Sequence, residues 1–483
     1  MSTYDILVLG ATGFTGKLVS QYLFTHPQFV ASPSARERSS SEKTFTFAIG
    51  ARSSKRLEDV AVSLKEPSLY TEDSTEPYPS SDRLEAALSA IPRVIVDVTD
   101  PESLDAAVRH AKVVINTVGP YWRWGTPVVR ACVHHGVHHV DLTGEAPWVK
   151  EIINQFDYLA TKSRAIIVPA CGMDSIPSDI GVFLSSRTLQ RVKPNSLISS
   201  SISAYKIGGG ISGGTISTGI VSFEEVPKDK RRIAARPCAL SPCEASPAAR
   251  ARPGFRFIYR LPYISPRMLG AFFIMSSANR PIVERSWGLL EVEARSKSKT
   301  SGASGGDVPR YGPNFVYDEC LQTKSTFAAV CVSLGVAVVG ACLLLFSPAR
   351  WLVKKFATAP GQGPSDETMR NGFIKLTNVT TSDSNPPTVI QSTMRGRGDP
   401  GYSLTGIMLS ESALSLLLEH DRLPALAKRG GVLTTATAIG DVLIERLEKV
   451  PGKRFSFESE EVDLATGRVK SALGEGSEAR KTR

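Results

Sequence analysis

The chain has few cysteines, and none lie in patterns that crosslink or bind metal. Its seven cysteines among 483 residues are odd in number and scattered, and Cys238 and Cys243 are the one close pair. Five residues apart in a proline-rich stretch, these two are expected to be free thiols. A disulfide framework is therefore excluded, which indicates a reduced, cytosol-facing compartment. A secretory signal is also not expected, because an apolar strand already begins at Tyr4.

Motifs for nucleic-acid binding are missing as well, although the chain is basic. Lysine and arginine number 57 against 47 acidic residues, which gives a net charge of +10 and a pI near 9.2. The positive residues are dispersed and form no basic-aromatic stripe, so a nucleic-acid partner is excluded. A phosphate-rich cofactor or an anionic membrane surface accounts for the excess.

Two histidine pairs, at 134–135 and 138–139, do not have the spacing of a metal site. Gly136 is predicted to end the helix that carries the first pair, which puts the second pair on another element. Histidines at a helix end interact favourably with the helix dipole, and this suffices to explain them. No metal is therefore expected.

What the chain does have, at its start, is a strand that runs into three glycines and an amphipathic helix. Such glycines allow a tight turn, close approach of backbone amides to a pyrophosphate, and close packing of helix on strand. A purely structural turn is the alternative interpretation. The residues predicted to bind the pyrophosphate are Gly10, Thr12, Gly13, Phe14, Thr15 and Gly16.

The end of the second strand indicates which dinucleotide is bound. NAD-binding folds place an acidic residue there for the ribose hydroxyls, but this chain has Arg52 after Ile49 and Gly50. A guanidinium suits bidentate binding of a 2′-phosphate, so NADP(H) is the predicted cofactor. The alternative is that Arg52, Lys55 and Arg56 form a solvated helix start.

Apolar strands alternate with helices through the first 170 residues, which predicts a doubly wound parallel sheet. Ligands of such sheets lie beyond the carboxyl ends of the strands. Gly119, Pro120 and Tyr121 follow one strand and are therefore placed beside the nicotinamide. Hydride addition also requires a proton donor, and Tyr121 or Asp174 is proposed for that role.

A strand followed by a polar turn carries Cys171, Asp174 and Ser175 close together. Cys171 has no activating neighbour in the sequence, so a packed thiol is favoured over a nucleophile. Asp174 and Ser175 suit a pocket lining or a helix cap equally well.

Residues 327–346 form the longest apolar run of the chain and contain no charged residue. As a helix they would span about 30 Å, the thickness of a bilayer's hydrocarbon core. Insertion into a membrane or lipid droplet is favoured, with a buried core helix as the alternative. The stretches 227–254 and 296–306 are rich in small and polar residues and are interpreted as flexible insertions.

Several motifs of the chain together resemble the saccharopine dehydrogenase-like oxidoreductases, which are closely related to the trans-acting enoyl reductases. They are the opening glycines, residues 49–52, 118–121 with Gly125, 140–145 and 172–179, and the later stretches 398–402 and 430–434. The resemblance covers nearly the whole chain. It implies an NADP-type Rossmann domain, an α+β second domain and a hydride transfer.

The resulting plan is α/β, with an N-terminal Rossmann-type doubly wound parallel sheet and an α+β second domain that carries the apolar helix. The expected divisions are an NADP-binding domain at 1–170, substrate-domain parts at 171–326 and 347–473, the apolar helix at 327–346 and a disordered tail at 474–483.

The sequence thus favours an NADP(H)-dependent reductase that acts on a double bond of a hydrophobic small molecule, lipid or glycolipid intermediate. The resemblance implies a membrane or lipid-droplet surface, with the mitochondrion or endoplasmic reticulum as further locations, and a homodimer is allowed but not specified. Two alternatives stay open. One is a saccharopine-type imine dehydrogenase acting on an amino acid, and the other is a non-catalytic nucleotide-binding scaffold at a membrane.

Overall fold

The computed structural model describes residues 4–30, 43–66, 69–70, 81–209, 224–301, 310–346, 348 and 363–471. The predicted tail at 474–483 lies outside these residues. The structure consists of two sheets with their helices.

The first sheet is fully parallel, as the sequence predicts. Its strands are β1 (Ile6–Leu9), β2 (Phe47–Ala51), β3 (Arg93–Ile95), β4 (Val113–Asn116), β5 (His138–Asp141), β6 (Ile166–Val168) and β13 (Gly431–Val432). They lie in the order β13-β6-β5-β4-β1-β2-β3. The doubly wound fold is confirmed, and the sheet also takes its last strand from the C-terminal part of the chain.

Helices cover both faces of this sheet. They are α1 (Phe14–Thr25), α2 (Ser54–Ser63), α3 (Ser81–Ser89), α4 (Pro101–Val108), α5 (Tyr121–His135), α6 (Ala146–Ser163) and α13 (Ser403–Leu418). Alternate residues of β1 pack in opposite directions, Ile6 with α1 and α13, and Leu7 with α4, α5 and α6. Gly136 ends α5 with a φ of 68°, so the two histidine pairs lie on different elements.

The second sheet is mixed and confirms the α+β second domain. Its strands are β7 (Ile198–Gly208), β8 (Tyr259–Arg260), β9 (Leu269–Phe272), β10 (Val316–Thr323), β11 (Phe373–Ser382), β12 (Val389–Arg397), β14 (Phe455–Asp463) and β15 (Arg468–Val469). The order is β15-β14-β12-β11-β7-β10-β9-β8, in which only β7 and β10 pair in parallel. Two long helices, α7 (Ile176–Val192) and α10 (Ser276–Ser301), lie between this sheet and the first.

Short helices complete the described part, and some occupy stretches interpreted above as flexible. They are α8 (Lys228–Ala234), α9 (Pro247–Ala251), α12 (Asp366–Asn371), α14 (Ala425–Arg429), α15 (Thr435–Ala438) and α16 (Asp441–Glu448). Within the stretches 227–254 and 296–306, the structure places α8, α9 and the last residues of the helix that ends at Ser301. The Ser246 side chain accepts from Ala249 N and starts α9.

The apolar run forms a single helix, α11 (Thr326–Leu345), as the sequence predicts. Its first half is attached to the second sheet, since Ser333 Oγ donates to Phe257 O and accepts from Phe272 N, both at 2.9 Å. From Leu334 onward, Leu334, Val338, Val339 and Leu345 are exposed, and Leu345 is 75% exposed. Only 11% of the Thr326–Leu343 stretch is buried, so α11 does not have the burial of a core helix. In contrast, the shorter apolar helix α13 is buried almost completely.

Candidate functional site

The glycine turn after β1 is tight and leaves no room for side chains. Gly10 has a φ of 80°, a conformation that favours glycine. Its amide donates to Gly50 O at 3.0 Å, and the amide of Gly13 donates back to Gly10 O at 2.8 Å. A Cβ at Gly16 would collide with the same Gly10 oxygen. The turn therefore brings backbone close to backbone, as a dinucleotide site requires.

The start of α1 fits an anion. Its N-cap residue is Gly13, and no side chain caps the helix there. In the part of the chain that the structure describes, the amides of Thr12, Phe14 and Thr15 have no acceptor. The Phe14 ring turns aside and packs edge-on against Tyr402, with 5.3 Å between ring centres. Unpaired amides at a helix N-terminus are what a pyrophosphate would occupy, so the cradle fits NADP(H).

Arg52 lies at the carboxyl end of β2, two residues beyond the Gly50 that contacts the glycine turn. Its side chain is exposed and, within the described residues, makes no hydrogen bond or ion pair. The adjacent helix α2 is capped by Ser53, whose side chain accepts from Arg56 N. Because the cap does not use Arg52, its guanidinium is available for a 2′-phosphate.

The loop after β4 lies directly against the glycine turn. A Cβ at Gly10 would lie 2.8 Å from Thr117 Oγ1, and Thr117 Oγ1 itself donates to Leu9 O at 2.7 Å. The loop continues through Gly119 and a cis bond to Pro120 into α5. The structure therefore brings Gly119 and Pro120 to the same edge of the sheet as the glycine turn.

Tyr121 is buried, and its hydroxyl is already bonded. It donates to Asn116 O at 2.9 Å and accepts from Leu142 N at 3.4 Å. Burial, together with the negative charge of Asp141, raises the pKa of Tyr121 well above its ordinary value. This geometry favours a positioning role for Tyr121 over proton donation.

A buried carboxylate, Glu145, holds the start of α5 in place. Glu145 Oε1 accepts from Tyr121 N at 2.7 Å and Oε2 accepts from Trp122 N at 2.8 Å. Burial raises the pKa of Glu145, and the two backbone bonds oppose that rise. A carboxylate at a helix N-terminus is favourable, so Glu145 fixes the helix that begins with Tyr121.

Asp141, at the end of β5, joins two loops of the same edge. Its Oδ1 accepts from Thr143 N at 2.9 Å and from Ala170 N at 3.1 Å, and its backbone oxygen accepts from Cys171 N. Thr143 Oγ1 in turn accepts from Glu145 N at 3.1 Å. Burial raises the pKa of Asp141 to about 7. The three loops that follow β4, β5 and β6 are therefore linked by buried carboxyl groups.

Asp174 lies on the loop after β6 and faces this edge. Its carboxyl has no hydrogen-bond partner among the described residues, and burial raises its pKa to about 6. A Cβ at Gly144 would lie 2.8 Å from Asp174 Oδ2, so the glycine leaves space for the carboxyl. The next residue, Ser175, has a φ of 112°, which is strained for a residue other than glycine. Asp174 is thus a carboxyl group that is partly protonated near neutral pH and free to act on a ligand.

A polar network behind Asp174 connects the site to the second sheet. Ser175 Oγ lies 3.5 Å from Asn279 Oδ1, and Asn279 Nδ2 donates to Glu319 Oε1 at 2.9 Å. Glu319 also accepts from Ser178 Oγ at 2.7 Å and from the Tyr317 hydroxyl at 2.9 Å. Burial raises the pKa of Glu319 to about 7. The loop that carries Asp174 is therefore fixed from both domains.

Cys171 is a packed thiol, as favoured from the sequence. It is fully buried, its Sγ contacts Val168 O at 3.3 Å, and burial raises its pKa well above the ordinary value. Across the described ranges, no group of three or more histidine, cysteine or acidic side chains could hold a metal ion. Cys238 and Cys243 are free thiols.

Sequence reasoning missed the residues that hold the site together. Glu145 and Asp141 were noted as part of a motif, but neither was given a role. Their position at the carboxyl end of an apolar strand and in the loop that follows it was the available signal. Asn279 and Glu319 come from distant parts of the chain, and no local pattern marks them.

The fold and the site define a Rossmann-type dinucleotide-binding protein with a protonatable carboxyl group beside the nucleotide edge. Residues 79–168 match the saccharopine dehydrogenase NADP binding domain. A putative trans-acting enoyl reductase of Mycobacterium tuberculosis is 32% identical over 456 residues, which cover 92% of this chain and 95% of the relative. A trans-acting enoyl reductase of Mycobacterium bovis is 30% identical over 460 residues, with the same coverage of both chains.

Among solved structures, apo saccharopine dehydrogenase (L-Glu forming) from Saccharomyces cerevisiae covers 94% of this chain and 99% of its own. Its identity is 11% and its TM-score is 0.45. On the strength of the sequence relatives, the chain belongs to the saccharopine dehydrogenase-like oxidoreductases, the family that includes the trans-acting enoyl reductases. It is an NADP-binding oxidoreductase.

Proposed function

We propose that the protein uses NADPH to reduce a carbon–carbon double bond conjugated to a carbonyl group in a lipid or lipid-linked substrate at a membrane surface. The observation that carries the proposal is the combination of a protonatable Asp174, which has no hydrogen-bond partner among the described residues, at the nucleotide edge with the exposed apolar helix α11. The relatives named as enoyl reductases support the choice of double bond.

The chemistry needs a hydride and a proton. Held by the glycine turn and Arg52, NADPH would supply the hydride and be oxidised to NADP⁺. As the π bond breaks, one carbon takes the hydride, and Asp174 delivers a proton to the other carbon and is left as a carboxylate that solvent reprotonates. A pKa of about 6 allows this cycle near neutral pH. Glu145 and Asp141 keep the surrounding loops fixed, and Tyr121 is held by its bond to Asn116 O.

The membrane part of the proposal rests on how α11 is attached. Its first half is anchored through Ser333, whereas along 334–345 the side chains of Leu334, Val338, Val339 and Leu345 are exposed. Twelve helical residues reach about 18 Å, close to one leaflet of a hydrocarbon core about 30 Å thick. This length suits a helix that enters one leaflet of the membrane and does not cross it, so that both domains stay on the same side of the membrane. A cytosol-facing membrane or lipid-droplet surface, including that of the mitochondrion or endoplasmic reticulum, is the proposed location.

The test is NADPH oxidation with enoyl thioesters of short and long acyl chains, supplied in phosphatidylcholine vesicles. We expect turnover that increases with chain length, and a loss of at least about a hundredfold in Asp174→Asn, as for removal of a general acid. Asp59→Asn changes an exposed aspartate on α2 and should keep full activity.

Two results would replace the proposal. NADPH oxidation with an oxo acid and an amino acid, but not with any enoyl compound, would favour the imine dehydrogenase. NADPH binding without turnover of either class would favour the scaffold.

A further inference from the structure

An acidic residue of β10, Asp318, is surrounded by three arginines outside the nucleotide site. Arg252 Nη1 lies 3.0 Å and Arg280 Nη2 3.4 Å from Asp318 Oδ1, and Arg256 Nη1 lies 4.0 Å from Oδ2. The Arg252 and Arg280 side chains are 6% and 15% exposed, whereas that of Arg256 is 43% exposed. The cluster is therefore buried at two arginines and open to solvent at the third.

The positive charge of this cluster is not fully balanced. Glu284 is the second acidic residue near the cluster. Its Oε2 accepts from Cys238 N, and the Glu284 carboxyl makes no ion pair within the described residues. Three guanidinium groups thus face Asp318 and Glu284. A third carboxyl, Glu319, also interacts with Arg280, but burial raises its pKa to about 7 and it already accepts hydrogen bonds from Asn279, Ser178 and Tyr317. Burial and the neighbouring Asp318 charge raise the pKa of the Tyr259 hydroxyl to about 12, so it adds no charge at neutral pH.

Arg280 in particular lacks acceptors. A guanidinium has five N–H donors, yet in the described part of the chain Arg280 makes one hydrogen bond, the long one to Asp318. Its Nε is buried without a partner. Leaving buried donors of a charged group unpaired is costly, and an oxygen-rich anion would pair them.

The position of the cluster indicates where such an anion comes from. Arg256 lies between Phe255 and Phe257, which are 36% and 47% exposed. Phe255 packs on Phe272 with 4.7 Å between ring centres, and Phe257 O accepts from Ser333 of α11. Aromatic and basic side chains at the base of an apolar helix are typical of a membrane boundary.

The other side of the cluster adjoins the proposed active site. Arg280 follows Asn279, which contacts Ser175 and donates to Glu319. Ala278 lies in the same helical turn as Arg280. A Cβ added at Gly144 would lie 3.8 Å from Ala278 Cβ and 2.8 Å from Asp174 Oδ2. The first turn of α10 therefore connects the arginine cluster with Asp174.

We propose that Arg252, Arg256 and Arg280 bind the phosphate group of an anionic lipid in the leaflet that α11 enters. The planar guanidinium groups suit bidentate binding of phosphate oxygens. This inference rests on the proposed function, because it takes α11 as the element that meets the membrane.

The experiment is co-sedimentation of the full chain with vesicles of phosphatidylcholine alone and of phosphatidylcholine with one fifth phosphatidic acid. Wild type should bind the anionic vesicles at least about tenfold more tightly. Arg256→Gln and Arg280→Gln should lose that preference while still binding neutral vesicles. Arg267→Gln changes an exposed arginine outside the cluster and should retain most of it. Since Arg280 is mostly buried, thermal unfolding and NADPH titration show whether Arg280→Gln folds. If Arg280→Gln does not fold, the vesicle preference of Arg256→Gln alone tests the proposal.

Free phosphate is the other source of the same chemistry. At matched ionic strength, inorganic phosphate should compete with anionic vesicles better than chloride does. Thermal stabilisation by inorganic phosphate, with no preference for anionic vesicles, would overturn the lipid assignment. An equal loss in all three variants would mean general surface charge and would also overturn it. Binding to neutral vesicles without anionic preference refutes this inference alone, whereas no binding to any vesicle refutes the membrane part of the proposed function.

Discussion

Glu411 holds three helices together behind the nucleotide-binding sheet, and its replacement by glutamine should cost stability that depends on pH. It lies on α13 and accepts from the Tyr22 hydroxyl and from Arg446 Nε, both at 2.6 Å. His26 Nε2 lies 3.1 Å from the same carboxylate. These contacts join α13 to α1 and α16.

The magnitude follows from the environment of the carboxylate. Burial alone would raise the pKa of Glu411, but the Arg446 guanidinium and the bonds from His26 and Tyr22 outweigh burial and lower it from 4.5 to about 2. That difference corresponds to roughly 3 kcal/mol of folding free energy. Because the folded-state pKa is depressed, this stabilisation is present above pH 4.5 and is lost as the pH falls towards 2.

The assay is urea unfolding of wild type and Glu411→Gln, followed by tryptophan fluorescence at pH values from about 7 to about 3. We expect a deficit of roughly 3 kcal/mol for the variant at pH 7, which shrinks below pH 4.5. The matched control is Glu458→Gln, which removes an exposed ion pair with Arg395 and should cost less than about 1 kcal/mol. A deficit that is independent of pH, or one equal to that of the control, would show that the Glu411 carboxylate does not stabilise the fold through its charge.

Further predictions concern Asp174, Glu145 and helix α5. The turnover rate should fall as the pH rises above about 6, where Asp174 loses its proton, and pH–rate profiles check this. Because the raised pKa makes the charged form oppose folding, Asp174→Asn should be more stable than wild type at pH 8 by about 3 kcal/mol in urea unfolding. Glu145→Gln removes the negative charge to which two backbone amides at the start of α5 donate. Because this loosens the loop beside the nucleotide, an NADPH titration should show about tenfold weaker binding. An unchanged affinity would count against the positioning role of Glu145. Gly125→Ala should destabilise the fold by about 1–3 kcal/mol in thermal unfolding, because its Cβ would lie 2.5 Å from the Trp148 ring. Gly119→Ala should be tolerated, because its Cβ would lie 3.7 Å from the Tyr121 ring, an ordinary contact distance.

The first sheet could be predicted because its signals are local. Apolar strands, the three glycines and Arg52 lie within short stretches, and each follows from backbone geometry or charge. The end of α5 at Gly136 is of the same kind. Strand β13 and helix α13, by contrast, reach the first sheet from residues beyond 400, and pairing over such a distance leaves no pattern in either segment.

The candidate site shows the same division. Tyr121 and Asp174 were both chosen as proton donors from their position after strands, but only the structure distinguishes them. Tyr121 is bonded to Asn116 O, and Asp174 has no partner among the described residues. The assignment of either residue to catalysis stays a prediction. Likewise, the arginine cluster around Asp318 assembles from distant parts of the chain, of which only the stretch with Arg252 was interpreted, as a flexible insertion.

NADPH and NADH titrations of wild type, Arg52→Gln and Arg56→Gln, followed by intrinsic fluorescence, test whether the protein is specific for NADP(H). We expect that wild type prefers NADPH and that Arg52→Gln weakens NADPH binding by about 10- to 100-fold while NADH binding is unchanged. Arg56→Gln, which changes an exposed residue in the first turn of α2, should have little effect. An equal effect of both variants, or no binding of either nucleotide by wild type, would contradict the assignment of an NADP(H)-dependent oxidoreductase.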